Sequence, residues 1–418
     1  MDDRTAIGWL HRRVGFGLAP GELDQLAALG VDATLDRLLD PGAAGVAAEG
    51  SPFDGMAFDP QRRCAAIIEA VGRWLDRMTT TQRPLVEWMA WYWHGHLTTS
   101  VASVPFAPLV GDQIDLYRAA GLGDLPSLLR SATVDAAMLL YLDGNTSTGD
   151  SPNENYGREL LELFALGVGA FDEADVRAAA RALTGWTVAR RTGEVRFVAA
   201  RHDATPQRLL GRDVDDVDSV IAAVVEHPAC APFVAGRLAR AILGEVDDGL
   251  VASFGRRFAD ADLQIAPLVR AIVEAGLDGA GTTMFGAPVP WAAGAARATG
   301  GRPDRRAVLG LLDGAGQVPL RPPSVAGWPG GGAWLAASTV VGRFNLAFAT
   351  AFAAPVDGAA RTAAARGDVA ALADVLGRPE GLSGPTADAV RAAPAGAGRF
   401  AGLERLAVAL ASPDLAVI

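Results

Sequence analysis

Apolar positions recur every three or four residues along most of the chain, the spacing that puts side chains on one face of a helix. Leu85, Trp88, Met89 and Tyr92 are one such set, in a helix that begins near Pro84. The period shortens to two only in the segments 186–188 and 195–198, which flank Arg-Arg-Thr-Gly and predict a β hairpin. The sequence therefore predicts a mainly α fold, a bundle-like array of many helices with one small hairpin.

The length of the chain leaves its domain organisation open. Its 418 residues are enough for two or three domains, but no linker divides them convincingly. The Gly- and Pro-rich stretch 276–290 is the best candidate for an internal boundary or a long loop. We therefore expect one helical domain over residues 1–418.

The densest group of reactive side chains lies in one short segment, residues 151–169. Asn153 is suited to cap the start of a helix there, and Gly167 with Gly169 is suited to end it. At about 100° per residue, the apolar side chains of this central helix share one side, which predicts its core face. These side chains are Tyr156, Leu160, Leu163 and Phe164.

The adjoining arc of the central helix is polar, and two hypotheses explain it. In the first, Glu154, Arg158 and Glu159 are catalytic, and Glu159 and Glu162 also bind a metal, because carboxylates suit both general-base chemistry and divalent cations. In the second, the i,i+4 pairs of Arg158 with Glu154 and Glu162 form a structural ion-pair network. Composition does not separate the two.

Histidines supply the remaining candidate metal ligands. His96 lies in an apolar, aromatic setting, which suits a core histidine or a ligand with a shifted pKa. His202 and Asp203 follow the predicted hairpin. The first hypothesis brings all three to the Glu159 and Glu162 edge, where such a ligand set accepts Mn, Fe, Zn or Mg.

Two tryptophans are predicted to line the wall of that cleft. Trp186 and Trp328 each follow a glycine, at a turn where an aromatic ring can close a pocket around a cofactor or a small-molecule substrate. Trp328 belongs to the irregular Gly-, Pro- and Trp-rich segment 316–334, which is typical of a loop packed over a core or of a binding surface.

Composition excludes several function classes. The net charge of -11 and pI near 5.0 argue against a nucleic-acid partner, which needs a basic stripe. Lysine is absent, so a Walker A lysine, a Schiff-base lysine and a Ser-Lys dyad are impossible. Cys64 and Cys230 lie too far apart in sequence to suggest a disulfide framework or a thiolate metal site.

The sequence also predicts where the protein works. Its longest uncharged stretches are broken by Pro and Gly, so no membrane span is expected. Acidic residues stand where a signal peptide would have its basic region, which predicts a cytoplasmic protein without an export signal.

Several motifs together resemble the bacterial family known as domain of unknown function 1800. They are Trp-His-Gly-His at 93–96, Asn-Glu-Asn-Tyr with Arg-Glu at 153–159, Asp-Val-Arg at 175–177, Thr-Gly-Trp at 184–186, His-Asp at 202–203 and Pro-Pro-Ser-Val-Ala-Gly-Trp at 322–328. The resemblance extends over nearly the whole chain, but the family brings no established activity. Many relatives look exported and are found beside a second exported family, unlike the expectation for this chain.

Two functions remain open from the sequence. The first is an enzyme, a metal-assisted hydrolase or oxidoreductase that uses the Glu, His and Asp cluster with a divalent metal. The alternative is a non-catalytic binding or assembly module, in which the polar helix is a structural network and the Trp-rich loop contacts a protein partner.

Overall fold

The computed structural model describes residues 1–104, 106–189 and 192–418. The structure is 61% helical, with 22 α-helices and two small antiparallel strand pairs among the described residues, which confirms the mainly α prediction. The first third of the chain contains α1 Asp3–Val14, α2 Glu22–Leu29, α3 Val31–Leu39, α4 Arg63–Thr80, α5 Pro84–His96, α6 Ala107–Ala120, α7 Leu125–Thr133 and α8 Ala136–Tyr141.

The middle third contains the central helix and all the described strands. Its elements are α9 Glu154–Glu159, a π-helical turn Leu160–Ala165, α10 Glu173–Ala182, β1 Trp186–Ala189, β2 Glu194–Phe197, β3 Gln207–Leu209, β4 Arg212–Val214, α11 Val217–Val225, α12 Cys230–Leu243, α13 Asp248–Asp260 and α14 Ile265–Leu277.

The last third is again helical. Its elements are α15 Pro288–Thr299, α16 Arg305–Gly314, α17 Ala337–Phe352, α18 Gly358–Arg366, α19 Val369–Val375, α20 Gly384–Ala392, α21 Leu403–Leu410 and α22 Pro413–Ala416. The suspected boundary near 276–290 is the connection between α14 and α15, and α15 packs against α4 and α17. The single-domain organisation stays a prediction.

Helix α5 lies in the core because it is apolar on every side, as expected of a fully enclosed helix. Its Met89 and Trp93 are completely buried. Glu87 on the same helix is also completely buried, and its carboxylate accepts hydrogen bonds from Arg118 at 2.7 Å and from the indole of Trp74 at 3.2 Å. These partners are needed because an unpaired buried charge costs several kcal/mol.

The predicted hairpin is present, and a second one was not foreseen. β1 pairs with β2 from Trp186 opposite Phe197 to Ala189 opposite Glu194, while turn residues 190 and 191 lie outside the described residues. β3 and β4 form the second hairpin, joined by Leu210 and Gly211, which both have positive φ. That turn normally takes Asn-Gly or Asp-Gly, so a leucine in its first position concealed it.

The central helix begins and buries its apolar face as predicted, but it is not α-helical throughout. Asn153 caps it by accepting a hydrogen bond from the Asn155 N–H at 2.8 Å. After Glu159 the helix widens into the π-helical turn, and Leu166 donates to the carbonyl of Leu161. Periodicity does not reveal this widening, because one π-helical turn changes the spacing of apolar residues too little to be seen in the sequence.

No single helix among the described residues is both long and apolar enough to cross a membrane. Only α11 and α12 taken together meet that test, and they are bent by 76° relative to each other.

Candidate functional site

The central helix packs closely against α10, and we call this contact the α9–α10 junction. Gly157 permits the close approach, because a Cβ atom there would stand 3.2 Å from both the Ala180 nitrogen and the Val176 oxygen. The polar arc of the helix lies at the edge of the junction, with Glu154 and Asn155 exposed. The start of the polar arc is therefore at the surface, whereas Arg158, Glu159 and Glu162 are half-buried.

Arg158 joins the two helices across this edge. Its guanidinium donates to both carboxylate oxygens of Glu173, at 2.7 and 2.8 Å, and stands 3.6 Å from Glu154. The hydrogen bonds from Arg158 lower the pKa of Glu173. A bidentate pair of this kind has a fixed geometry, so Arg158 is already engaged in holding α9 to α10.

Glu159 and Glu162 stand apart from these ion pairs. Both are half-buried, and neither has a salt bridge or a side-chain hydrogen bond among the described residues. Burial raises the pKa of Glu159, and the neighbouring Glu162 charge raises it further, although Arg158 opposes both effects. The two carboxylates are thus the part of the polar arc that remains available to a cation.

His96 reaches the central helix from its buried side. Its Nε2 lies 2.9 Å from the carbonyl of Phe164, which is free because the helix ends two residues later, and this carbonyl can only accept a hydrogen bond. Nδ1 therefore holds a lone pair, and it is buried without a partner among the described residues. Burial and, to a smaller extent, the charge of Arg237 lower the pKa of His96 to about 3, so the ring is neutral.

The two tryptophans predicted to bind a cofactor lie in different surroundings. Trp328 stacks on Trp91 of α5 with ring centroids 4.6 Å apart and meets His94 edge-on. Trp186 packs on Phe197 across the first hairpin, at 5.3 Å. Trp328 therefore covers the core beside α5. The assignment of both as cofactor contacts stays a prediction.

His202 and Asp203 are held by different groups, although they are neighbours in sequence. His202 Nδ1 donates to the Thr184 carbonyl at 3.0 Å, which leaves Nε2 as the basic nitrogen. The Asp203 carboxylate accepts from Arg181 at 2.7 Å, and this bond is the main cause of its lowered pKa. They therefore do not form an acid-base dyad with each other.

Backbone contacts bring three of the sequence motifs to one place. Ser147 accepts through its carbonyl from Gly185 at 3.4 Å and through its hydroxyl from the Asn153 N–H at 3.0 Å. Gly149 donates to the Arg201 carbonyl at 2.8 Å. The start of the central helix, the Thr-Gly-Trp turn and the His-Asp pair therefore meet around the loop that precedes α9.

The family profile described as protein of unknown function (DUF1800) matches residues 9–417. The chain belongs to the DUF1800 family. No curated protein and no solved structure matches the chain. The DUF1800 motifs of this chain thus coincide with the packing contacts of the central helix, but the family description supplies no chemistry for them.

The predicted metal ligands of this DUF1800 chain fall into three settings. His96 lies under the helix, Glu159 and Glu162 lie on its edge, and Asp203 pairs with Arg181 beside His202. Among residues 1–104, 106–189 and 192–418, no group of three or more His, Cys, Asp or Glu side chains could hold a metal ion. The shared metal centre and its catalytic residues therefore stay predictions.

Sequence reasoning missed the partners that organise this region. Glu173, Arg181 and Thr184 hold Arg158, Asp203 and His202. Thr184 belongs to the Thr-Gly-Trp motif, in which only the tryptophan was predicted to have a role. The pairs that Glu173 and Arg181 form depend on how α10 packs, and spacing along the sequence does not reveal that packing.

Proposed function

We propose that this chain is a binding and assembly module, which pairs with a second copy of itself through α17. The polar arc of the central helix then serves as a structural ion-pair network. The observation that carries the proposal is a row of exposed aromatic rings along α17. Phe344 lies 4.6 Å from Phe348, which lies 6.2 Å from Phe352.

Helix α17 exposes several large apolar side chains to solvent. A surface helix normally buries its large apolar residues and exposes polar ones. Here Leu346 is the one large apolar side chain on the buried face, which otherwise carries Thr339, Gly342, Arg343, Ala347, Thr350 and Ala351, whereas Phe344 is 51% exposed. Such an arrangement is typical of a helix whose outer face is covered by a partner.

The size of the exposed face fits a dimer interface. At about 200 Å² per aromatic side chain, Phe344, Phe352 and Phe400 leave roughly 300 Å² of ring surface in water. Leu335 and Val341, each more than half exposed, extend the patch. One side of a standard interface buries about 800 Å², of which about 65% is apolar in homodimers, so roughly 500 Å² is needed.

The distribution of charge favours a second copy of the chain as the partner that covers α17. The chain carries a net charge of -11, so two copies repel each other through most of their surfaces. The exposed residues of α17 include no charged side chain, and Arg343, its one charged residue, is buried. Two copies of α17 itself can therefore meet with no like charges opposed, although beside it the Arg399 guanidinium lies 4.8 Å from the Phe400 ring centre.

Sedimentation velocity from about 1 to about 100 µM tests the proposal by mass action. The wild-type chain is expected to dimerise, and Phe344→Glu to weaken the dimer by about 30-fold or more, as for a central interface residue. Val168→Glu, at a position 85% exposed and outside α17, is the control and should leave the dimer intact. A wild-type chain that stays monomeric throughout this range would overturn the proposal.

A metal-assisted hydrolase or oxidoreductase is the second candidate function. The adjacent carboxylates of Glu159 and Glu162, with the raised pKa of Glu159, favour it, because a divalent cation would relieve their repulsion. Elemental analysis of protein purified without chelator tests this candidate. It requires a stoichiometric metal that is lost in Glu159→Gln.

A further inference from the structure

The structure contains a groove that is distinct from the α9–α10 junction. It lies between the start of α4 and α16, Val318 and Arg321 also line it, and its volume is about 910 Å³. We call it the arginine groove, because Arg62, Arg63, Arg306 and Arg321 line it, against one carboxylate, Asp313. This local excess of positive charge stands out in a chain with a net charge of -11.

Two of these guanidinium groups have no ion-pair or hydrogen-bond partner in the part of the chain that the structure describes. Arg321 pairs with Asp313 at 3.3 Å, and Arg63 donates to backbone carbonyls. Arg62 and Arg306 are exposed, and neither side chain has an ion pair or a hydrogen bond among the described residues. They stand on opposite walls of the groove, one before α4 and one in α16, so both can donate to one ligand.

The walls of the groove are held in place by residue 101. Its carbonyl accepts from Arg63 at 3.1 Å, and its N–H donates to the Leu320 carbonyl at 2.9 Å. Val101 therefore connects the α4 wall to the turn that carries Arg321. A groove fixed in this way needs little rearrangement to bind a ligand.

That turn has a strained backbone. The backbone N–H of Arg321 donates to the Val318 carbonyl at 3.2 Å, and Pro319 and Leu320 are the central residues of the turn. Leu320 has φ +63°, a conformation that a turn of this kind usually assigns to glycine, and its side chain is completely buried. Strain kept at such a position is common beside functional sites, and here it determines the position of Arg321.

We propose that the arginine groove binds an organic anion, in which a phosphate or carboxylate group is joined to an apolar body. Arginine presents a planar fork of donors that matches both kinds of group. Ile67, Ile68 and Leu309 supply an apolar lining for the rest of the molecule. The volume is that of a site for one small molecule. This inference does not depend on self-association through α17.

Cys64 offers a direct reporter of occupancy. It is exposed and lines the groove, whereas Cys230 is completely buried and burial raises the pKa of its thiol to about 12. A neutral alkylating reagent such as N-ethylmaleimide should therefore modify Cys64 alone in the folded protein.

The test measures the rate of Cys64 alkylation in the full chain with added hexyl phosphate, hexanoate, inorganic phosphate or neutral hexyl glucoside. The groove predicts at least about 10-fold protection at saturation by hexyl phosphate or hexanoate, since charged hydrogen bonds and apolar burial both contribute. Comparing the protection by hexyl phosphate with that by hexanoate shows whether the groove prefers a phosphate or a carboxylate. Inorganic phosphate should bind more weakly, and hexyl glucoside should give no protection.

The variant Arg62→Gln with Arg306→Gln should lose this protection. Arg366→Gln is the matched control, because Arg366 is also exposed and lacks an ion pair among the described residues. Calorimetric titration of hexyl phosphate into the wild-type chain gives a second measurement that does not depend on any variant folding. Protection by neither amphiphilic anion, equal protection in the double variant, or stronger protection by a single-stranded oligonucleotide would overturn the proposal.

Discussion

The α9–α10 junction and the arginine groove both contain conspicuous arginines, but the guanidinium groups have different neighbours. Arg158 at the junction and Arg181 elsewhere on α10 each donate to a carboxylate at 2.7 Å. In the groove Arg62 and Arg306 have no such partner among the described residues. The arginines of the dense charged region are therefore paired within the protein, whereas the arginines that converge in the groove can still donate to a ligand.

The difference follows from how each charge set arises. Charges three or four residues apart on a helix meet whatever the rest of the fold does, and an adjacent helix readily supplies further partners. The groove draws on residues near 62, 306 and 321, which only the packing of α4 against α16 brings together. Charge density along the sequence therefore does not reveal which arginines lack a carboxylate partner in the fold.

Among the ion pairs of α10, we expect Asp203→Asn to have the largest effect on stability. It removes a charged hydrogen bond from Arg181, whose side chain is 47% exposed, so the free energy of unfolding at pH 7 should fall by about 0.5 to 1 kcal/mol. Because the folded-state pKa of Asp203 is lowered, this stability is present above the ordinary value of 3.8 and is lost as pH falls through the lowered pKa.

Urea unfolding of both proteins across that pH range provides the measurement. Asp213→Asn is the control, since its pair with Arg208 at 3.0 Å is exposed and should contribute little. If Asp203→Asn is no less stable than Asp213→Asn at pH 7, the pair of Arg181 with Asp203 does not stabilise the fold.

Glu159→Gln should have a smaller effect, in the opposite direction. Removing the like-charge contact with Glu162 should stabilise the chain by about 0.5 kcal/mol at pH 7. The folded-state pKa of Glu159 is raised, so the wild-type chain regains stability as pH falls, and the difference should vanish below the ordinary value of 4.5.

Thermal melts of Glu159→Gln and of the control Glu154→Gln, each with and without excess Mn²⁺, distinguish the two functions. The structural interpretation expects Mn²⁺ to leave both variants and the wild-type chain unchanged. A rise in wild-type melting temperature with Mn²⁺ that is absent from Glu159→Gln would instead support the metal-assisted enzyme.

The sequence predicted those features that depend on neighbours in the chain. The buried face of the central helix, its Asn153 cap and the first hairpin all follow from spacing and turn chemistry. The π-helical turn was missed because apolar spacing over a single turn does not distinguish it from an α-helix. The second hairpin was missed because Asp175, which accepts from the Leu210 N–H at 2.7 Å, supports a turn without the usual residues.

The candidate site was predicted less well, for a physical reason. Helical periodicity places Glu154, Arg158 and Glu162 on one arc, but it does not say which partner each charge will meet. Arg158 met Glu173, and Phe344, which has the spacing of a core residue, stayed exposed. Both outcomes depend on which helix faces pack together.

Calorimetric titration of hexyl phosphate into Arg158→Gln and Arg306→Gln tests the comparison most directly. The account predicts that Arg158→Gln binds within about twofold of the wild-type chain, while Arg306→Gln binds at least about 10-fold more weakly, the loss expected from one charged hydrogen bond. The reverse pattern, with binding lost in Arg158→Gln and retained in Arg306→Gln, would contradict it.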